Sequence, residues 1–297
     1  MMTWTLWRAL QRPPRANRVF QMSLAEPRQT RRMLSNHALI AGVLLLTLIA
    51  VLSREFSSFL SLLILVIIPL TTLNFLLTGP IYGLRWAVQS AAAIARLRRS
   101  GLYELLCVAP PGPLNTNWLV CASVFHRLSD GVPLESQSLW PIRLLLSLPI
   151  IVYVSLQSGV TDRPVTLGVV MGLYLLLIIL WFRIEDVQSM LLGGVLGMFV
   201  PAHTQDQVEV NIATIGGYLL IQLLAYLGAI LLLYLALPPL YSRLGFNGWL
   251  ADYSRPALAL FLLASAREVI LRLLWQRLCS RLNIRAEVSL MTGYRVY

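Results

Sequence analysis

Apolar residues run along this chain in blocks longer than a soluble fold uses, and charged residues gather between the blocks. A helix crosses the hydrocarbon core of a bilayer, about 30 Å thick, with about 17–25 mostly apolar residues. The first such block is 37–53 (HALIAGVLLLTLIAVLS), closed by Arg54 and Glu55. The second, 56–84, carries no charge and is long enough to span with tilt, with a kink expected at Pro69. After a long polar interval come 144–160 and 165–182, joined by the turn Thr161-Asp162-Arg163-Pro164. A fifth block lies within 211–240, ended by Pro238-Pro239; a sixth covers 256–275 and is interrupted by Arg267, Glu268 and Arg272. The uncharged stretch 187–201 holds three glycines (Gly193, Gly194, Gly197) and is short for a span. It reads as a re-entrant or interfacial segment.

Arginine decides the count. With six spans, 20 of the 24 basic residues fall on the side that holds both termini. Arg54, Arg163, Arg243 and Arg255 fall on the other. Arginine-rich loops stay cytoplasmic, and a seventh span at 187–201 would carry the C-terminal arginines outside. The expected fold is therefore all-α and polytopic, in the plasma (inner) membrane, with both termini cytoplasmic. A basic segment 1–36 precedes a six-span domain 37–275 with a cytoplasmic loop 85–143, and a basic tail 276–297 follows. The opening MMTWTLWRALQRPPRANRVF lacks the apolar core of a cleaved signal peptide, so the first span is expected to direct insertion.

Composition agrees. Hydrophobic residues are 57% of the chain and charged residues 12%, against about 45–50% and about 25% in soluble domains. The mean hydropathy is +0.71. So few charges cannot cover a soluble globule of 297 residues. The net charge of +11 comes entirely from arginine, with no lysine. In so apolar a chain these arginines are read as flanking the spans and facing anionic headgroups, not nucleic acid. Without lysine there is no GxxxxGK[ST] phosphate loop and no Schiff-base chemistry. Cys107, Cys121 and Cys279 show neither metal-knuckle nor disulfide spacing. His37, His126 and His203 lie at span ends or in loops, where they cannot form a facing pair for haem, and neither HExxH nor GxSxG is present. No catalytic, metal or cofactor residue is expected on the chain itself. The eight tryptophans, Trp86 and Trp275 among them, fall mostly near span ends, as an interfacial belt does.

The interval after the second span is more specific. Its alanine-rich part, from Arg85 to Arg99, is expected to extend the second helix into the cytoplasm until Gly101 breaks it. A short helix then presents Leu102, Leu105, Leu106 and Ala109 at i, i+3, i+4, i+7, an apolar stripe on one face. Ser100 is placed to cap it, Glu104 suits its first turn, and Pro110-Pro111-Gly112-Pro113 stops it. Leu105 and Leu106 are expected to hold this helix down against the cytoplasmic membrane surface, with Glu104 on the free face.

The run from Arg98 to Pro110 (RRSGLYELLCVAP) resembles the R-x-x-G-T-x-E-L-L-x-x-x-P pattern of type-2 ABC transporter permeases, with Leu102 in place of threonine. The six-span order and the basic segment 17–35 are similar to that family's architecture. The resemblance implies the transmembrane subunit of an ATP-driven exporter working by alternating access. ATP and Mg would be bound on a separate ATPase, and two copies, or a second permease, would complete the path. It also implies that Arg98, Arg99, Gly101, Tyr103, Glu104, Leu105, Leu106 and Pro110 form the coupling helix on which the ATPase docks. A fainter echo, Arg183, Glu185 and Asp186 ahead of 187–201, is a candidate second cytoplasmic contact. Glu185 and Asp186 are expected to be solvated or paired with Arg183. Arg267, Glu268 and Arg272 are candidates for an internal ion pair, Glu268 and Arg272 having the favourable i, i+4 order. The rival reading is a non-transporting membrane subunit that anchors a larger complex.

Overall fold

A computed structural model describes residues 2–11, 17, 20–22, 68–108, 112–131, 164–204, 206–243, 245 and 249–283. The described residues form helices joined by short turns, with no strand among them. The helices are α1 (Met2–Gln11), α2 (Ile68–Arg99), α3 (Leu102–Val108) and α4 (Gly112–Gly131). Then follow α5 (Pro164–Phe199), a 3-10 turn (Val200–Ala202), α6 (Gln207–Leu231), a π-helical stretch (Leu232–Ala236), α7 (Leu237–Arg243) and α8 (Trp249–Arg281). Among them one continuous helical run, Gln207–Arg243, is long and apolar enough to cross a membrane. The expected spans at 37–53 and 144–160, Pro110 and the tail beyond 283 lie outside the described residues. Pro69 falls at the start of the described part of α2, which continues unbroken through Pro80.

The stretch 187–201 is not a separate segment. It continues the fourth expected span as a single helix of 36 residues, about 54 Å long at 1.5 Å per residue. The glycines that made it look irregular are a packing seam. A Cβ on Gly193 would strike the backbone carbonyl of Gly83, one on Gly194 the Trp86 ring, and one on Gly197 the Ala87 carbonyl oxygen at 2.7 Å. On α2, a Cβ on Gly79 would meet Asp186 at 2.6 Å. The contact order, 79 with 186, 83 with 193 and 87 with 197, makes α2 and α5 parallel neighbours. Small residues at these positions let the two backbones approach closely. Gly193→Leu is expected to cost more than the usual overpacking penalty of about 1–3 kcal/mol, since the obstacle is backbone. Gly172→Leu, where a Cβ meets nothing within 4 Å, is expected to be silent. Thermal unfolding of both variants in detergent checks this.

Pro238-Pro239 does not end the fifth expected span either. The helix widens to π geometry over Leu232–Ala236 and runs on through both prolines to Arg243. Neither proline has an N–H to give the carbonyls one turn back, and the widened turn re-registers the ladder at that point.

The core lies at the end of the bundle where α2 and α5 finish. α4 runs back up α2, with Trp86 Nε1 donating to the Cys121 carbonyl at 2.9 Å and the Trp86 ring against Phe125. α8 descends beside them. Arg267 meets Glu185 midway along α5, and Trp275, lower down, meets Trp118 near the start of α4. Trp86 and Trp275 are thus core residues, 2% and 4% exposed, not part of an interfacial belt. Ile94, Leu119, Val195, Met198 and Leu278 fill the space between.

Candidate functional site

α1, which hydropathy does not single out, crosses this core from α8 to α4. Glu268 accepts from the backbone N–H groups of Met2 (2.6 Å) and Thr3 (3.3 Å) and from the Thr3 hydroxyl. A carboxylate at a helix N-terminus satisfies donors that no helical carbonyl reaches. At the other end the His126 ring lies 2.9 Å from the Leu10 carbonyl, and Trp7 packs edge-on against Phe125. Leu6 and Leu10 are buried, and Trp4 and Arg8 face outward. Glu268 also takes the expected i, i+4 bond from Arg272, at 3.3 Å.

Arg267 does not share that arrangement. It pairs with Glu185 of α5, each side chain 4% exposed. The expectation that Glu185 is solvated or paired with Arg183 is therefore corrected. Position 185 falls on the α5 face that packs on α6 and α8, and Arg183 turns outward. Asp186 is half-buried beside Gly79. The pair is embedded in polar partners. Tyr226 donates to Glu185 at 2.6 Å, Ser189 donates to Glu185 at 2.9 Å, and Arg267 donates to the Gln222 side-chain oxygen at 2.7 Å. Gln222 in turn donates to Ser189 at 2.9 Å and to the Tyr218 hydroxyl at 3.0 Å. Tyr218 donates to the Ser189 carbonyl at 3.2 Å. Three helices thus meet at one ionised, hydrogen-bonded node. Hydropathy passes over Tyr218, Gln222 and Tyr226, although their i, i+4, i+8 spacing in a largely apolar block was the signal that could have found them.

The short helix α3 sits at the far end. Gly101 precedes it with φ of 70°, the left-handed conformation that glycine tolerates and that turns the chain off α2. Ser100 does not cap it; its hydroxyl donates back to the Leu97 carbonyl at 2.9 Å. The side chain that holds α3 is Tyr103, 9% exposed, under the Arg98 guanidinium at 4.6 Å. Arg98 also bonds the Pro201 carbonyl at the end of α5, and Thr116 of α4 donates to the Leu106 carbonyl at 3.2 Å. Arg99 pairs with Asp206 at 2.8 Å, joining α2 to the start of α6. Against the protein itself it is Tyr103, and not Leu105, that is packed. Leu105 is 71% exposed, Leu102 47% and Val108 88%, with Glu104 also outward and Leu106 and Cys107 half-buried. Burial pushes the Tyr103 hydroxyl and the Cys107 thiol above their ordinary values, so both stay neutral at physiological pH.

Among the described residues no group of His, Cys, Asp or Glu side chains could hold a metal ion, and Cys107, Cys121 and Cys279 form no disulfide. No family model, curated protein or solved structure matches the chain.

Proposed function

We propose that this chain is the transmembrane permease subunit of an ATP-driven exporter, with six spans, both termini cytoplasmic, and α3 as the contact for a separate ATPase. One observation carries the reading: α3 is pinned to α2 and α4 by its buried side, and presents Leu102, Glu104, Leu105 and Val108 outward. A helix that merely rides on its own protein would turn its leucines in. An apolar strip with one acid, rigidly held at the foot of long helices, suits a groove in a partner protein. Force applied there reaches α5 through Arg98 and Pro201, and α6 through Arg99 and Asp206.

The hydrocarbon core then lies above the Glu185–Arg267 node. From Gln222 to Arg243, and from Pro164 to Glu185, is 21 residues in each case, about 32 Å of helix, matching a bilayer core of about 30 Å. The node marks the cytoplasmic boundary, and α1 crosses at that level with Trp4 and Arg8 outward, as an interfacial helix does. Cysteine labelling in intact cells is expected to find position 160 accessible from outside and positions 10, 205 and 290 only after permeabilisation. Labelling of 290 from outside would remove the six-span arrangement. Purification in mild detergent is expected to bring down two permease copies with an ATPase that carries the phosphate loop absent here. Recovery instead with an assembly partner and no ATPase would favour the anchor reading.

A further inference from the structure

Ser90 of α2 and Asn117 of α4 are wholly enclosed, each 0% exposed, and neither side chain is hydrogen-bonded to the protein. The unpaired atoms are Ser90 Oγ and both Asn117 Oδ1 and Nδ2. Other enclosed hydroxyls on α4 behave differently. Thr116 donates to the Gly112 carbonyl at 2.9 Å and Ser123 to the Val120 carbonyl at 2.7 Å, the local bonds by which helical serine and threonine satisfy themselves. Ser90 forgoes such a bond. Asn117, whose amide has two donors and two acceptor sites, spends none of them on the protein.

The two residues face each other. Trp86 of α2 is bonded to the Cys121 carbonyl of α4, and the helices run in opposite directions. One turn further along α2 is therefore met by one turn earlier along α4, which brings Ser90 level with Asn117. α5 closes the third side, where a Cβ on Gly197 would meet the Ser90 Cβ at 3.1 Å. The Cys121 thiol adjoins Ser90. It is turned to the Gly194 carbonyl, 3.6 Å away, and a thiol is a weak partner.

Buried polar groups are paired almost without exception, with protein or with ordered water. Ser90 and Asn117 supply donors and acceptors but no charge, which suits a neutral polar molecule and not an ion. We infer that Ser90 and Asn117 hold an internal water that ties α2 to α4 beside α5. A buried water makes about three hydrogen bonds, and three atoms await them. A primary amide presents its oxygen and one N–H along the same edge. One water thus donates to Asn117 Oδ1, accepts from Asn117 Nδ2 and turns its remaining hydrogen to Ser90 Oγ. The inference does not depend on the exporter reading.

The test is hydroxyl-radical footprinting of the full chain in detergent. A short X-ray pulse makes radicals from water in place, and those formed at a held water attack the nearest sulfur. Cys121 is 0% exposed and Cys279 1%, so bulk water distinguishes the two very little. Peptide mapping is expected to find Cys121 oxidised several-fold faster than Cys279. Asn117→Leu, which removes both amide atoms at nearly constant volume, is expected to bring Cys121 down to the rate of Cys279. Ser90→Ala is expected to slow it too, and serves where Asn117→Leu fails to fold. Equal, slow oxidation of Cys121 and Cys279 in the unaltered chain would overturn the inference and leave the seam dry. Fast oxidation of Cys121 that neither substitution slows would also overturn it, since it would come from opening of the core and not from a held water.

Discussion

Arg267→Met is expected to destabilise the protein by about 3–5 kcal/mol, because it strands a buried carboxylate. Glu185 is 4% exposed, and its remaining partners, Tyr226 and Ser189, are neutral donors. They solvate the charge without cancelling it. Thermal unfolding in detergent should show a Tm lower by about 5–15 °C for a chain of this size. The double variant Glu185→Leu with Arg267→Met is expected to recover part of this loss, since removing both charges removes the stranded one. Recovery is incomplete because Gln222 and Tyr226 each lose a partner, and an unsatisfied buried polar group costs about 1–3 kcal/mol. The order of stability, wild type above the double variant above Arg267→Met, distinguishes a buried pair from a solvated one. Equal stability of all three would return Glu185 to the solvent-exposed role its sequence context suggested.

The second large effect is expected at α3, and it separates two residues of the same short helix, one buried and one exposed. Tyr103→Ala removes the one fully packed side chain of a seven-residue helix and frees Arg98 from its ring. Loss of a buried aromatic side chain costs about 3–5 kcal/mol in a core, more than so short a helix contributes alone. α3 is then expected to detach while the spans still insert. Leu105→Asp should leave folding unchanged, because the side chain is 71% exposed. In the proposed complex the same leucine would occupy a partner's pocket, where central anchors contribute about 2–4 kcal/mol. Leu105→Asp is therefore expected to weaken ATPase association by about 30- to 1000-fold, with normal expression and Tm. Glu104→Arg should act in the same direction, with a direct cost to the helix of only about 0.3–1 kcal/mol. Co-purified ATPase and ATP hydrolysis rate are the readouts.

The difference between α3 as expected and as observed shows what a sequence pattern carries. Leucines at i, i+3 and i+4 identify an amphipathic helix, but not which of its faces the protein covers. Tyr103 wins the buried side because Arg98, one turn of chain earlier, offers a cation for its ring and ties the pair to Pro201. The second helix, its extension to Arg99 and the break at Gly101 were legible from alanine, arginine and glycine alone. The 187–201 segment was read as separate because three glycines in 15 uncharged residues resemble an interruption; beside α2 they are the condition for contact. Similarly, Glu185 beside Arg183 looks like a local surface pair. The partner it takes lies 82 positions away, on a helix whose docking the local sequence does not encode. α1 and α4 escaped notice because they owe their burial to core contacts and not to a long apolar run.

The most direct measurement is site-specific photo-cross-linking from position 105 in native membranes, followed by identification of the attached chain. The expected product joins this chain to a soluble ATPase bearing a GxxxxGK[ST] loop. It should be lost when Tyr103→Ala releases α3 and kept in the Gly172→Leu background. Cross-links to lipid or to the same chain alone, with no ATPase attached, would contradict the exporter reading.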